Sequence, residues 1–317
     1  MSSLSQTPII GIDVSACWLD IYDLSKRRSQ RLENNHKGHQ QLIKLAQEAQ
    51  AEVCFEATGG HEWRLWSQLV ERDIPARQLP PAQIKAFARS QGKRAKTDQI
   101  DAQLIAEFAA FRPACGRTLP AQNQRHIRAL VTKRQQLVAI RKQILLQQKA
   151  QIVCGNADHF EQIDKDMLDM ISGKITSLES TMETLINQDQ TLARKDQILR
   201  SIPGVGPVTS SMIIAELPEM GHIKAEAAAA LVGVAPFAQD SGKSVGKRTI
   251  SGGRKRLRNV IFQAALVARN CNPSLKAFAH RLKNKGKTHK VIIIAVARKL
   301  ISIMSSLCKN DTLWADL

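Results

Sequence analysis

The chain has 317 residues, of which 43% are apolar, with 46 Lys+Arg against 28 Asp+Glu, a net charge of +18 and a pI near 10.0. That length and apolar content suit a globular protein of two or three domains. No run reaches ~18 apolar residues, and the N-terminus lacks a charged segment leading into an apolar one, so neither a membrane span nor a signal peptide is expected.

Residues 8–24 read as a hairpin: a short apolar run to Val14, a turn at Ser15-Ala16, then alternation from Trp18 to Leu24. A third strand is expected over 29–33. Asn35 then caps an amphipathic helix through Leu42 and Leu45. A buried strand over 53–57 ends at Thr58-Gly59-Gly60, and a helix follows over about 62–72. A strand at 76–79, a helix at 81–89, a break at Gly92 and a helix at 97–111 complete an α/β order. Residues 120–195 are rich in Gln and Lys and read as two long helices broken at 155–158. On the second, Leu168, Ile171, Ile175, Leu178, Met182, Leu185 and Leu192 step by threes and fours, interrupted at Asp189, as in a coiled coil. The first is less regular, with Ile127, Val131, Val138, Leu145 and Ile152. Such a hairpin is a rigid arm or a dimer interface more often than a chemical site.

From Leu199 the chain changes character. Ser201-Ile-Pro-Gly-Val-Gly206 is an apolar–Pro–Gly–apolar–Gly turn between helices, similar to a helix-hairpin-helix module. In that module the glycines, here Gly204 and Gly206, and the next helix N-terminus offer N–H groups to a phosphate. A plain tight turn explains the pattern equally well. Helices are expected at 225–232, 254–270, 274–284 and 288–308. Residues 199–317 hold 19 Lys+Arg against 6 Asp+Glu, whereas residues 1–198 hold 27 against 22. A basic excess this one-sided points to DNA or RNA. No Asp or Glu occurs between Asp240 and Asp311. Within this run Lys243, Lys247, Arg248, Arg254, Lys255, Arg256 and Arg258 can meet phosphates, and glycines let the backbone approach a ligand.

Four carboxylates stand out by position. Asp13 lies in an apolar strand, where an ionised group is costly unless paired or bound to metal. Glu56 ends another strand, and Asp98 and Asp101 share one helix face. Carboxylates converging from two strands and a helix can hold Mg²⁺ for phosphodiester chemistry. Taken singly, each has a plainer role: a helix cap for Asp98 or Asp101, a satisfied core group for Asp13, a surface residue for Glu56. The cysteines at 17, 54, 115, 154, 271 and 308 form no CxxC pair, and the histidines no HxxxH, so zinc and disulfides are not expected and a reducing cytoplasm is the default.

Gly11-Ile-Asp13-Val-Ser, Phe55-Glu56-Ala-Thr-Gly59 and Lys96-Thr-Asp98-Gln-Ile-Asp101-Ala resemble the acidic motifs of RuvC-like (DEDD) domains in Piv DNA invertases and related insertion-sequence transposases. Ser201–Gly206, Leu231-Val-Gly-Val-Ala-Pro236, Asp240-Ser241-Gly242 and the basic stretch 254–258 resemble that family's C-terminal transposase domain. The resemblance implies an α/β RNase H-like domain over 1–115, a helical coiled-coil arm over 116–198, and a basic, mainly α transposase domain over 199–317. It further implies a DNA recombinase in which the carboxylates bind Mg²⁺ and Ser241 attacks DNA to form a phosphoserine link. The implied partners are donor and target DNA, a guide non-coding RNA in the insertion-sequence branch, and further copies of the chain in a dimer or tetramer, in a bacterial cytoplasm with no membrane. The invertase branch inverts a DNA segment instead. Chemistry alone leaves Ser244 and Ser251 as competing nucleophiles; Tyr22, the sole tyrosine, lies in a strand. A RuvC-like nuclease using metal and water, and a non-catalytic nucleic-acid-binding protein, are the alternatives.

Overall fold

The computed structural model describes residues 7–92, 98–238, 246 and 248–314, with only the backbone of Asp98 and Gln99. They form two compact units, residues 1–120 and 121–317.

In the first unit β1 (Ile9–Val14), β2 (Trp18–Asp23) and β3 (Arg28–Glu33) form an antiparallel meander, and β4 (Glu52–Glu56) and β5 (Ala76–Leu79) add in parallel beside β1. The sheet order is β3-β2-β1-β4-β5. Helix α1 (His36–Ala49) starts where the Asn35 side chain accepts the Gly38 N–H, and α2 (Trp63–Val70) follows β4. One core gathers Ile12, Val14, Leu19, Phe55, Leu42 and Trp66. The other packs Ile9, Tyr22 and Cys54 against Ala102, Ile105 and Ala106 of α4 (Asp98–Phe111), with Ile84 of α3 (Pro81–Ser90). Both sheet faces are therefore covered by helix, which explains why β1 and β4 are nearly continuous apolar runs.

The second unit begins with the expected hairpin, α5 (Gln122–Val153) and α6 (Ala157–Asn187). Ile127, Val131, Met182 and Ile186 at its base join the core of the remaining helices. Farther out, Ile144, Ile171 and Ile175 form a small separate cluster. Val138, Leu145 and Ile152, expected on the seam, are instead exposed. The second expected helix is in fact two. The Asp189 carboxylate accepts the N–H groups of Thr191 and Leu192 and opens α7 (Gln190–Ser201), so Leu192 belongs to a new element. Helices α8 (Pro207–Glu216), α9 (Ala225–Val232), α10 (Lys255–Cys271), α11 (Pro273–Asn284) and α12 (His289–Asn310) follow, with the short hairpin of β6 (Pro236–Phe237) and β7 (Thr249–Ile250) between α9 and α10. Helix α12 is long and apolar enough to cross a membrane. Its Ile293, Val296, Ala297, Leu300, Ile301 and Met304 are fully buried among α9 and α10 residues, so it is the central helix of this core.

Candidate functional site

Strand pairing sets the first group of functional side chains. Ile12 of β1 sits beside Phe55 of β4, so Asp13 and Glu56, each one residue farther along these parallel strands, are neighbours. Successive side chains alternate between faces. Ile12 and Phe55 enter the core under α1 and α2, which puts Asp13 and Glu56 on the face that α4 covers. In β2 the partner of Asp13 is Asp20, and in β3 the partner of Asp20 is Arg31. A charged row, Arg31–Asp20–Asp13–Glu56, thus crosses four strands. Arg31 answers Asp20, which is 3% exposed, with paired hydrogen bonds of 2.8 and 3.0 Å. Asp13 and Glu56 are half-buried. Like charges side by side on neighbouring strands oppose each other, and a bound cation relieves that repulsion.

Helix α4 reaches this row because residue 11 is glycine. A Cβ there would lie 2.6 Å from the Ala106 nitrogen and 2.8 Å from its Cβ, inside the helix. Gly11 therefore seats the helix whose first turn carries Asp98 and Asp101. Half-buried Asp101 is described; the Asp98 side chain lies outside the described residues. Oxygen donors of this kind fit a hard divalent cation. Among the described residues, however, no three His, Cys, Asp or Glu side chains converge closely enough to hold one, so the expected four-carboxylate cluster is not formed by the described side chains.

In the first unit, sequence reading passed over two buried carboxylates. Asp20 looked like the polar half of an alternating strand, but the α4 side of the sheet is covered. Glu62 is 2% exposed and accepts hydrogen bonds from Thr58 Oγ1 and Gly60 N, both 3.0 Å, and from Gln78 Nε2 at 2.7 Å. Gln78 in turn accepts from Arg117 Nε at 2.7 Å. This network fixes the 58–60 turn that follows Glu56. A carboxylate six residues after Glu56, just beyond Gly-Gly, was the available signal.

In the second unit the glycine turn between α7 and α8 has two different glycines. Gly204 has φ +98°, and a Cβ there would lie 2.6 Å from the Cβ of Ala268 in α10. Its absent side chain lets α10 pack closely against the turn. Gly206 is exposed, caps α8 and has open space at its Cβ position, and Pro207 after it has no N–H to donate.

The loop between α9 and α10 is pinned at its base. A Cβ on Gly253 would lie 2.5 Å from the Gly233 Cα, so the two chain segments cross in direct contact, and Arg254 N donates to Leu231 O at 2.8 Å. The glycines near Ser251 thus approach their own chain. Arg254 is committed inside the fold: it donates to both Glu219 oxygens, at 3.0 and 2.8 Å, and to Glu216 O. Arg258 donates to Gly252 O at 2.8 Å and Gly233 O at 3.3 Å, bracing the crossing. Arg254 thus directs both terminal nitrogens to acceptors within the protein, whereas Arg258 directs only Nη1 inward. Burial pushes the Glu219 carboxyl up, but the Arg254 hydrogen bonds and charge, with Lys195, bring it below its ordinary value. Lys255 and Arg256 are exposed on the first turn of α10, which has no acidic residue. Cations at a helix N-terminus oppose its dipole, an arrangement that suits a bound anion. Arg248 is also exposed. Ser241, Lys243, Ser244 and Lys247 lie outside the described residues.

The chain aligns with known proteins over most of its length. Over 313 residues the protein is 27% identical to the pilin gene-inverting protein of Moraxella bovis, covering 95% of this chain and 96% of that one. It is 24% identical over 312 residues to the transposase for insertion sequence element IS1111A of Coxiella burnetii, covering 89% and 81%. Residues 10–152 match the DEDD transposase model of the IS110 type, and residues 196–280 match the transposase model of the IS116/IS110/IS902 family. With the carboxylate motifs under the first match and the glycine turn and basic helix under the second, the chain is a transposase of the IS110/IS116/IS902 family.

Proposed function

We propose that the protein cuts and rejoins DNA through a phosphoserine intermediate, using Ser241 as nucleophile and Asp13, Glu56, Asp98 and Asp101 as ligands for Mg²⁺. The observation that carries this reading is the placement of Asp13 and Glu56 side by side on the sheet face covered by α4, whose first turn holds the two other acids. The sheet order, an antiparallel meander continued by two parallel strands, is compatible with an RNase H-like domain. A divalent ion, when bound, would stabilise charge on the phosphodiester and help deprotonate a hydroxyl. In the first transfer the Ser241 oxygen forms a bond to phosphorus, the bond from phosphorus to a sugar oxygen breaks, and the serine proton leaves as that oxygen gains one. A second strand's hydroxyl then reverses the exchange and frees the serine. Ser241 needs such help because a serine hydroxyl is a weak nucleophile and no histidine is near it in sequence.

The exposed cations Arg248, Lys255 and Arg256, with Lys243 and Lys247, are assigned to donor and target DNA. A guide non-coding RNA as a further partner rests on the sequence resemblance and the basic excess. Inversion of a DNA segment without such a guide is the second reading, favoured by the end-to-end match to the pilin gene-inverting protein. The exposed Ile152, Val153, Phe160 and Ile163 around the α5–α6 turn suit a homo-oligomer, dimer or tetramer.

The test is a search for a denaturant-resistant protein–DNA adduct on DNA from the flanks of the gene. The wild type should form it with Mg²⁺ and lose it in EDTA. Ser241→Ala should bind DNA without forming it, and Asp13→Asn should fold normally yet neither cut nor recombine. An adduct from Ser241→Ala would transfer the role to Ser244 or Ser251, and an active Asp13→Asn protein would end the metal reading.

A further inference from the structure

The second unit has a groove of about 830 Å³ between α10, α11, α12 and the β6–β7 hairpin. Phe262, Phe278 and Ile294 contribute apolar surface, and Lys290, Arg298 and Lys299 add charge of a single sign. Among the described residues lining it there is no carboxylate, and the sequence from Ser241 to Asn310 contains none. A purely apolar occupant would strip water from these cations without answering them, and a simple polyanion would leave the aromatic surface wet. A nucleotide supplies both a flat π face and an anionic link.

We infer that the groove holds an unpaired nucleobase of a single strand, with the base against Phe262 and Phe278 and its flanking phosphates on Lys290, Arg298 and Lys299. Base–aromatic stacking and basic tracks along the backbone are how proteins hold single strands without reading sequence. The groove wall includes Pro236 of β6 and Ile250 of β7, the two strands joined by the segment that carries Ser241. A strand seated here is thus held at the foot of that segment, as strand exchange requires of an opened duplex. The inference rests on the nucleic-acid reading above and adds a site to it.

The experiment uses the full chain with a short single-stranded oligodeoxynucleotide bearing one 5-iodouracil, its RNA counterpart and the matching duplex. Photo-crosslinking followed by peptide mapping should place the base on the peptides containing Phe262 or Phe278. Val291, which lines the groove and is 52% exposed, can accept substitution without loss of the core. Val291→Glu should weaken single-strand binding about ten-fold, as expected for a lost base seat, and affect the duplex less. The DNA and RNA arms tell which strand is preferred. Crosslinks elsewhere with unchanged affinity of Val291→Glu would overturn the groove assignment while leaving the recombinase reading intact. A changed oligomeric state with unchanged affinity would instead mark the groove as a contact between copies. A wild-type protein that binds neither strand nor duplex would remove both.

Discussion

Arg254 and its neighbours offer a sharp separation of stability from binding. The Arg254 and Glu219 side chains are 32% and 36% exposed and share paired hydrogen bonds, with the Glu216 carbonyl as third acceptor. Hydrogen bonds to charged groups are worth ~1.5–3 kcal/mol when buried, and one-third exposure reduces this, so Arg254→Ala should cost roughly 1–2 kcal/mol. For a unit of this size each kcal/mol shifts the melting temperature about 2–4 °C, giving a fall of about 2–8 °C. Glu219→Gln should cost less, and the double variant less than the sum, because removing both partners leaves no stranded charge. Lys255→Ala and Arg256→Ala, on exposed positions one and two residues away, should leave the melting temperature unchanged. Each should instead flatten the slope of log affinity against log salt by about 0.9 on duplex DNA, the signature of one lost phosphate contact. Thermal denaturation and salt-titrated anisotropy on the wild type and these five variants decide it. If Arg254→Ala flattens the slope as its neighbours do and melts like the wild type, the inward pairing of Arg254 is wrong.

Three further outcomes follow from the same reasoning. Gly11→Ala should destabilise the first unit by about 1–3 kcal/mol, toward the upper end because the clash is with helix backbone; urea unfolding followed at the buried Trp66 measures it. Glu62→Gln leaves one oxygen where two served three donors, costing about 1–3 kcal/mol, and hydrogen exchange at the Gly60 amide should speed up. The Glu219 carboxyl lies below its ordinary 4.5 in the folded protein, so its contribution is full above about pH 4.5 and fades as pH falls through the lower folded value. The stability gap between wild type and Glu219→Gln should close over that acid range; a gap constant down to pH 3, an order-of-magnitude end point for carboxylates, would contradict the pairing.

Much of the architecture was legible because local signals agreed with one another. The meander, the Asn35 cap, the breaks at Gly92 and 155–158 and the helices from α9 onward appear where periodicity and caps put them, whereas the split at Asp189 does not. What local signals left out shares a cause, which is a distant partner. Arg254 was grouped with its basic neighbours because its acid, Glu219, lies 35 residues earlier, before the acid-free stretch begins. Gly204 has the form of a phosphate turn, and its need for glycine comes from Ala268 in a helix far along the chain. Asp20 was hidden by alternation, which distinguishes faces but does not say that both are covered. The Asp13–Glu56 pairing was legible as two acids in apolar strands, while their adjacency depends on β4 joining β1 in parallel, a pairing set by the whole sheet.

The α5–α6 hairpin has a mechanical consequence. Its helices have 32 and 31 residues, which at ~1.5 Å per residue makes a beam of roughly 47 Å. The beam is stiffened midway by the Ile144–Ile171–Ile175 cluster and by the 2.6 Å Arg134–Glu179 ion pair, and rooted by Ile127, Val131, Met182 and Ile186 in the helical core. A lever of that length magnifies what happens at its root: a rotation of about ten degrees there sweeps the far turn through about 8 Å. The root also touches α8, where the Gln124 side chain donates to Ile214 O at 3.3 Å and Gln135 to the Met212 sulfur at 3.1 Å. Small repacking of α8, the helix that Gly206 caps, therefore becomes a displacement of several ångströms at Val153 and Phe160, and a push on those residues returns to α8 as torque.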